Sequence, residues 1–456
     1  MDAFDRELND RLPLASATLE LFDFAFDDAL LAAVYAEHRG RCYTDTLTFP
    51  DLLRLVRDCL LQHGGSGHRL FVELERDGRE PVDESNFYRK LARTPVAVSR
   101  ALLRRCTARL TDLMPVPAAL LPGCFEPLEV VVIDGKKVKN AAKRLKPTRG
   151  YGGRLIGAKA LVAMHARSGL ALAMSDSLDG EANDVPLVPE LLPQVREVVP
   201  RPVLWLADRQ FCDAATFAKL CRRPGDHFVV RVREGLTFRA ESTRRLVDDR
   251  GREVTDETGV FGKGKDAVRL RRVTLVRGPG EDDVVLLTDL LDEGRFDAPD
   301  LLKLYRRRWG VEQMFQQVTE TFALEHLIGC GPRAILLQLA LCLLMYNLTQ
   351  VVKGYVAEDG HVAASIVSTY GLFYDLKREL QAWAYLGDGT PPVTRAGRDA
   401  RQMARRLREL LEGSWDAVAY TKASDKKPRK KKPPPSPLHG GHTSVQRLLD
   451  GRPNVK

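Results

Sequence analysis

Apolar residues follow two patterns along this chain of 456 residues. Up to about residue 122 they recur three and four positions apart, notably over 29–38, 49–63 and 95–113, the spacing of amphipathic helices. Gly64–Gly67 interrupts them as a loop. The stretch DESNFYRKLAR opens on the cap-type residues Asp83 and Ser85, and Thr94–Pro95 opens the next helix, with threonine as cap and proline in the first turn. Two helices across so tight a turn, with Arg89 and Lys90 on the first, admit two readings: a helix-turn-helix that enters a DNA groove, or a helical bundle with a solvated basic face.

After Pro122–Gly123 the pattern changes to short β-branched runs. LEVVVI (128–133) reads as a buried strand ended by Asp134–Gly135, and VLWLA (203–207) as another ended by Asp208. Between them, 159–166 and 170–175 read as strands joined at Arg167–Gly169, and 185–199 as a helix. A short helix over 214–221 leads to a strand over 227–232 that carries Arg231, with Arg233 following. Residues 234–282 are polar and rich in glycine and charge, which suggests a β-rich insertion. Residues 283–289 return to the apolar strand pattern.

Residues 297–325 then read as one long amphipathic helix, capped by Asp297 with Pro299 in its first turn. Leu304, Val311, Phe315, Val318 and Phe322 form its core stripe. Tyr305, Arg308 and Glu312 line one edge of that stripe. A buried helix over 333–353 follows, then helices near 363–386 and 394–412. Past about Tyr420 the tail, KKPRKKKPPPSPLHGGH, is too polar and proline-rich to fold.

Composition narrows the class. An apolar fraction of 44% and a charged fraction of 29% are those of a soluble globular protein. The N-terminus is acidic without an apolar signal core, and the longest apolar run, near 334–345, contains Gln338 and is too short to span a bilayer. Neither a secreted nor a membrane protein is expected; a cytoplasmic one is. The eight cysteines form no CxxC and read as reduced, mostly buried thiols. The net charge is +9, and residues 422–456 hold ten Lys or Arg against two Asp, so +8 of it lies in the tail.

Taken singly, Asp134 reads equally as part of an Asp-Gly turn, Asp208 as a surface-loop aspartate and Glu312 as half of an ordinary i,i+4 pair with Arg308; taken together, the three carboxylates are the candidate chemistry. Asp134 and Asp208 each stand at the end of a buried strand, where ligands bind in α/β sheets. Glu312 stands at the rim of a core helix. Three carboxylates brought together repel unless they bind cations, and hard oxygen donors suit Mg²⁺.

With these residues in place the chain resembles the bacterial insertion-sequence transposases of the DDE superfamily. The likeness rests on VVVIDGKKVK with Asp134, VLWLADRQF with Asp208, and YRRRWGVEQMFQQVT. In the last, Tyr305, Arg308 and Glu312 match the spacing of the family signature Tyr-x2-Arg-x3-Glu-x6-Lys. Position 319, where the signature has lysine, carries Thr319.

The resemblance implies an α/β fold: a ribonuclease-H-like mixed sheet flanked by helices (123–233 and 283–350), with the β-rich insertion (234–282). It implies a helical DNA-end-binding domain (1–122), a helical C-terminal part (351–420) and a disordered basic tail (421–456). It implies that Asp134, Asp208 and Glu312 hold two Mg²⁺, with Mn²⁺ able to substitute, for phosphoryl transfer at the ends of the element and into target DNA, by at least a dimer on double-stranded DNA. Tyr305, Arg308, Lys136, Lys137, Lys139, Arg231, Arg233, Arg89 and Lys90 become expected DNA contacts. Two alternatives remain: a silent DNA-binding relative, which Thr319 favours, and a hydrolytic nuclease on the same core.

Overall fold

The structure, a computed structural model, describes residues 3–42, 46–78, 82–115, 121–232, 235–264, 267–278, 281–321, 324, 326–386, 399–418 and 441–452. The N-terminal region is helical: α1 (Ala3–Arg11), α2 (Pro13–Ala25), α3 (Asp28–His38), α4 (Phe49–Leu61), α5 (Gly67–Arg76), α6 (Glu84–Arg93) and α7 (Val96–Thr111). Asp83 accepts a backbone N–H at the start of α6 as expected, and Thr48 does the same for α4; Thr94 does not cap α7, whose N-cap is Pro95, and its hydroxyl instead donates to Lys90 O at 2.9 Å.

The α6–α7 pair packs into a helical bundle, with the α7 face turned inward. Half of α7 is buried, and its basic residues are engaged: Arg100 with Asp176 and Glu190, Arg104 with Glu197, Arg105 with Glu37, and Arg109 over the Phe24 ring.

The strands are β1 (Glu129–Lys139), β2 (Arg154–His165), β3 (Ala171–Ser177), β4 (Val203–Ala207), β5 (His227–Arg231), β6 (Phe238–Val247), β7 (Glu253–Phe261), β8 (Val268–Leu275), β9 (Val284–Thr288) and β10 (His442–Ser444). They form one mixed sheet in the order β10-β2-β1-β4-β5-β9-β8-β7-β6, with β3 also on β2. Helices flank it. One face of β1 and β4 (Val130, Val132, Leu204, Leu206) joins the core built with the N-terminal helices and α12 (Pro332–Asp359). The other (Val131, Ile133, Trp205, Ala207) packs on α8 (Val188–Val198) and α9 (Ala214–Leu220). Burial on both faces explains why these strands read as unbroken apolar runs.

Helix α12 is the central post. By length and composition it could cross a membrane, but its most apolar window is wholly buried. Asn347 ties it to its neighbours: its side chain accepts from Ala171 N (2.8 Å) and donates to Thr107 Oγ1 (2.8 Å) and Ala171 O (2.9 Å). The remaining helices are α10 (Ala298–Tyr305), α11 (Trp309–Glu320), α13 (Thr369–Leu386), α14 (Ala400–Leu411) and α15 (Val445–Leu449).

Three expectations need correction, and one, the β-rich insertion, gains detail. First, β1 does not stop at Asp134–Gly135. β2 runs beside it from Val131↔His165 to Lys139↔Ile156, and that ladder overrides the turn preference of Asp-Gly. Second, the long helix is two helices, α10 and α11, joined by a 3₁₀ turn at Arg306–Arg308. Third, the insertion adds three strands to the same sheet. It is fixed there by Arg271, which is fully buried, pairs with Asp256 at 2.7 Å and donates to Phe296 O at 2.6 Å. Fourth, the expectation of a disordered tail fails over residues 441–452, and the rest of 421–456 lies outside the described residues. β10 pairs in parallel with Arg154–Ile156 of β2, and Arg447 of α15 pairs with Asp179 (2.9 Å) and Glu181 (3.0 Å).

Candidate active site

Side chains alternate across a strand, so Asp134 shares a face with Val130 and Val132, the face that meets α11. β4 pairs with β1 only over Glu129–Val132. Asp134 therefore sits where β1 has outrun its parallel neighbour, on an open edge inside a long strand. Its Oδ1 accepts from Gly135 N at 2.8 Å. Asp208 follows the last residue of β4 and caps the short turn Arg209–Phe211, accepting from Gln210 N at 2.9 Å. Tyr305 donates to Ala207 O at 3.2 Å, which locks the end of α10 onto the residue before Asp208.

The 3₁₀ turn then aims Arg308 into the gap. Its Nη1 lies 3.6 Å from Asp134 Oδ2, and its Nη2 donates to Glu312 Oε1 at 2.5 Å. The guanidinium thus bridges a strand carboxylate and a helix carboxylate, and it also acts electrostatically on Asp208. Burial, with Asp208 and Glu312 adding like charge, pushes the Asp134 carboxyl up to about 6; its hydrogen bond from Gly135 and the charge on Arg308 oppose this. Burial also raises Asp208, and it raises the Tyr305 phenol.

The structure thus brings Asp134, Asp208, Glu312, Arg308 and Tyr305 together. Among the described residues no group of three or more His, Cys, Asp or Glu stands close enough to hold a metal ion as the side chains lie. The reason is visible: Glu312 is turned onto Arg308, and one guanidinium balances the cluster. The donor chemistry, carboxylate oxygens on three side chains, suits a hard divalent cation.

The expected DNA contacts divide. Lys136, Lys137 and Lys139 line a groove of about 470 Å³ along the open edge of β1, with Lys159, Asn140 and Thr319. Lys136 donates to Thr319 Oγ1 at 2.6 Å and to Phe315 O at 3.3 Å, and burial brings its ammonium down to about 8. Arg231 ends β5 within electrostatic reach of Tyr305. Arg233 lies outside the described residues. Arg89 is exposed, bonded to Asn86 Oδ1 at 2.8 Å. Lys90 is buried, with its ammonium on Leu47 O and 4.8 Å from the Tyr35 ring centroid; this corrects the expectation of an exposed contact.

Sequence reasoning missed what stands behind the site. On the reverse face of β1, Asp184 packs directly against Gly135 and pairs with Lys159 at 2.6 Å, both side chains being almost fully buried. A lone lysine in RLIGAKALVAMH, a strand otherwise apolar between its terminal Arg154 and His165, was the one signal of it. Nothing local marks Asp184.

Residues 126–348 match the transposase DDE domain family. This match covers just under half of the chain, contains the whole cluster and supports a transposase of the DDE family. "Putative transposase y4zB" of Sinorhizobium fredii is 24% identical over 153 residues, which are 32% of this chain and 42% of that protein. The chain thus covers less than half the length of that curated relative. A piggyBac transposase, solved by cryo-EM as a synaptic complex with hairpin DNA, is 15% identical with a TM-score of 0.36, over 86% of this chain and 85% of that one. That likeness is too slight to bear on the fold.

Proposed function

We propose that this chain is a DNA transposase, which cuts at the terminal inverted repeats of its own element and joins the ends to target DNA on a ribonuclease-H-like core. The observation that carries the reading is the Arg308 bridge between Asp134 and Glu312 beside Asp208, inside the segment that matches the DDE domain. Asp134, Asp208 and Glu312 would hold Mg²⁺, or Mn²⁺ in its place. When bound, the ions supply Lewis acidity for in-line displacement at phosphorus.

The chain's own side chains do the rest. Arg308 has a planar fork suited to two phosphate oxygens. Tyr305, held by Ala207, fixes the approach of α10 to the strand ends. Lys136, Lys137 and Lys139 offer a cationic edge for the backbone of the strand that reaches Asp134. Arg231 extends that surface, and exposed residues of the N-terminal helices, Arg89 among them, are the candidates for end recognition. Joining two ends requires at least two copies on DNA.

The test is an assay with Mg²⁺ or Mn²⁺ and duplexes carrying the repeats that flank the gene. Strand transfer supports the reading. Hydrolysis without joining makes the protein a nuclease, and binding without cleavage makes it a silent relative.

A further inference from the structure

Helix α13 buries Leu372, Leu376, Leu380 and Trp383. On its other side, at about 100° per residue, Tyr370, Tyr374, Lys377 and Arg378 fall on one stripe. Tyr370 is 66% exposed and Tyr374 53%. Their rings are close to parallel, with 24° between the planes and 6.4 Å between the centroids. Arg378 stands 5.8 Å from the Tyr374 ring centroid, and its side chain is mostly in solvent. The carboxylates of the helix point elsewhere. Asp375 accepts from Trp415 Nε1 at 3.1 Å and comes no nearer to Arg378 than 4.0 Å, and Glu379 accepts from Ala15 N at 3.0 Å. Thr369, the first residue of α13, lines a cavity together with Arg306 and Arg307. The stripe therefore begins beside the turn that aims Arg308 at the carboxylates.

Nucleotides along a stacked strand rise about 3.4 Å per step, so two near-parallel rings 6.4 Å apart leave almost the room of one base between them. Both rings are in solvent, and small side-chain rotations open the rest. Aromatic rings receive bases and cations receive phosphates, and the stripe presents the two in succession. We propose that this face of α13 takes an unpaired stretch of a DNA strand, with one base between Tyr370 and Tyr374 and the following phosphates on Lys377 and Arg378. The inference rests on the transposase reading and adds to it a nucleic-acid surface outside the 126–348 segment that matches the DDE domain. A duplex fits the face less well, because a paired base must first be unstacked. A second copy of the chain also fits less well, because a twofold contact here sets Lys377 and Arg378 against their own counterparts.

The test titrates the full chain with a labelled oligodeoxythymidine, and separately with a duplex, over a range of salt, read by fluorescence anisotropy. Tyr370→Ala/Tyr374→Ala should weaken oligodeoxythymidine binding about tenfold or more. The slope of log K against log salt should stay the same, and so should the melting temperature, since both rings are exposed. Tyr370→Phe/Tyr374→Phe should bind like the wild type, because stacking uses the ring and not the hydroxyl. Lys377→Ala/Arg378→Ala should instead lower the slope by about 1 to 1.5, the share of two phosphates on a single strand. Wild-type affinity in the double alanine variant of the tyrosines overturns the proposal. An equal loss of duplex binding overturns the claim that unpaired bases stack there. A change in sedimentation with DNA binding intact makes the face a contact between copies, and the DNA assignment fails. The transposase reading fails separately: a wild-type protein that shows these binding effects but neither cuts nor joins element ends keeps the stacking face and loses the function.

Discussion

The ammonium of Lys136, on β1, donates to the hydroxyl of Thr319, on α11, at 2.6 Å, and that hydroxyl donates onward to Phe315 O at 2.7 Å. A strand lysine thus brings positive charge to the helix position where the signature has its own lysine. Lys136→Ala should weaken DNA binding and lower the salt slope by about one phosphate contact. Thr319→Lys should not help, because it sets two ammonium groups side by side at a half-buried edge; its melting temperature should fall. The exchange Lys136→Thr/Thr319→Lys should recover binding. A Thr319→Lys single variant that binds DNA more tightly without losing stability would show that Lys136 does not fill this role.

Asp208→Asn removes charge from the cluster but keeps the side chain's shape and its capping oxygen toward Gln210 N. Cleavage of element ends should vanish while end binding stays near wild type. Cleavage at the normal rate would mean that the metal site is misassigned.

Gly135 has an ordinary φ, so its requirement is steric: an added methyl would run into the Asp184 carboxylate. Gly135→Ala must displace either β1 at Asp134 or the buried Lys159–Asp184 pair. Overpacking of this kind costs about 1–3 kcal/mol, and activity should fall further than stability because Asp134 is the next residue. Chemical denaturation together with an end-cleavage assay checks both. A variant with full activity would show that the pair yields without moving Asp134.

Much of this was legible in the chain and some of it was not, for physical reasons. Runs such as VVVI and VLWLA are buried on both faces, so they announce strands without help from neighbours. Asp134, Asp208 and Glu312 stood out because charge at the end of such a run, or at the rim of a core stripe, is unusual. Where β1 ends was not legible, since the β2 ladder decides it and Asp-Gly locally argues for a stop. The break at Arg306–Arg308 has no glycine or proline to signal it. The contacts of Lys136 with Thr319, and of Asp184 with Lys159, join residues 183 and 25 positions apart, beyond any local pattern. The folding of His442–Leu449 likewise depends on a free edge of β2 that no nearby residue reveals.

That last contact is testable by truncation. Ending the chain at residue 440 removes β10 and α15, strips Arg154–Ile156 of their partner and leaves Asp179 and Glu181 without Arg447. Val445, fully buried, goes with them, and burying a valine side chain contributes about 1.5–3 kcal/mol. The truncated protein should melt several degrees lower, and hydrogen exchange should speed up selectively over 154–156. An unchanged melting temperature and unchanged protection would mean that the segment does not hold the sheet edge.

Stability should also depend on acidity through Glu129 at the base of β1. Its carboxylate accepts from His165 Nε2 at 2.9 Å and lies 3.1 Å from Arg201 Nη1. The His165 bond, aided by charge on His165 and Arg201 and opposed by burial, holds the carboxyl below its ordinary 4.5. A carboxylate depressed in the folded state stabilises above its unfolded pKa, and that stabilisation is lost as pH falls through the folded value. Glu129→Gln should therefore cost about 1 kcal/mol at neutral pH, discounted for the part of the side chain that solvent screens. The difference from wild type should close as denaturation is measured below about pH 4. A gap that stays constant down to pH 3 would place the loss in packing and not in the ion pair.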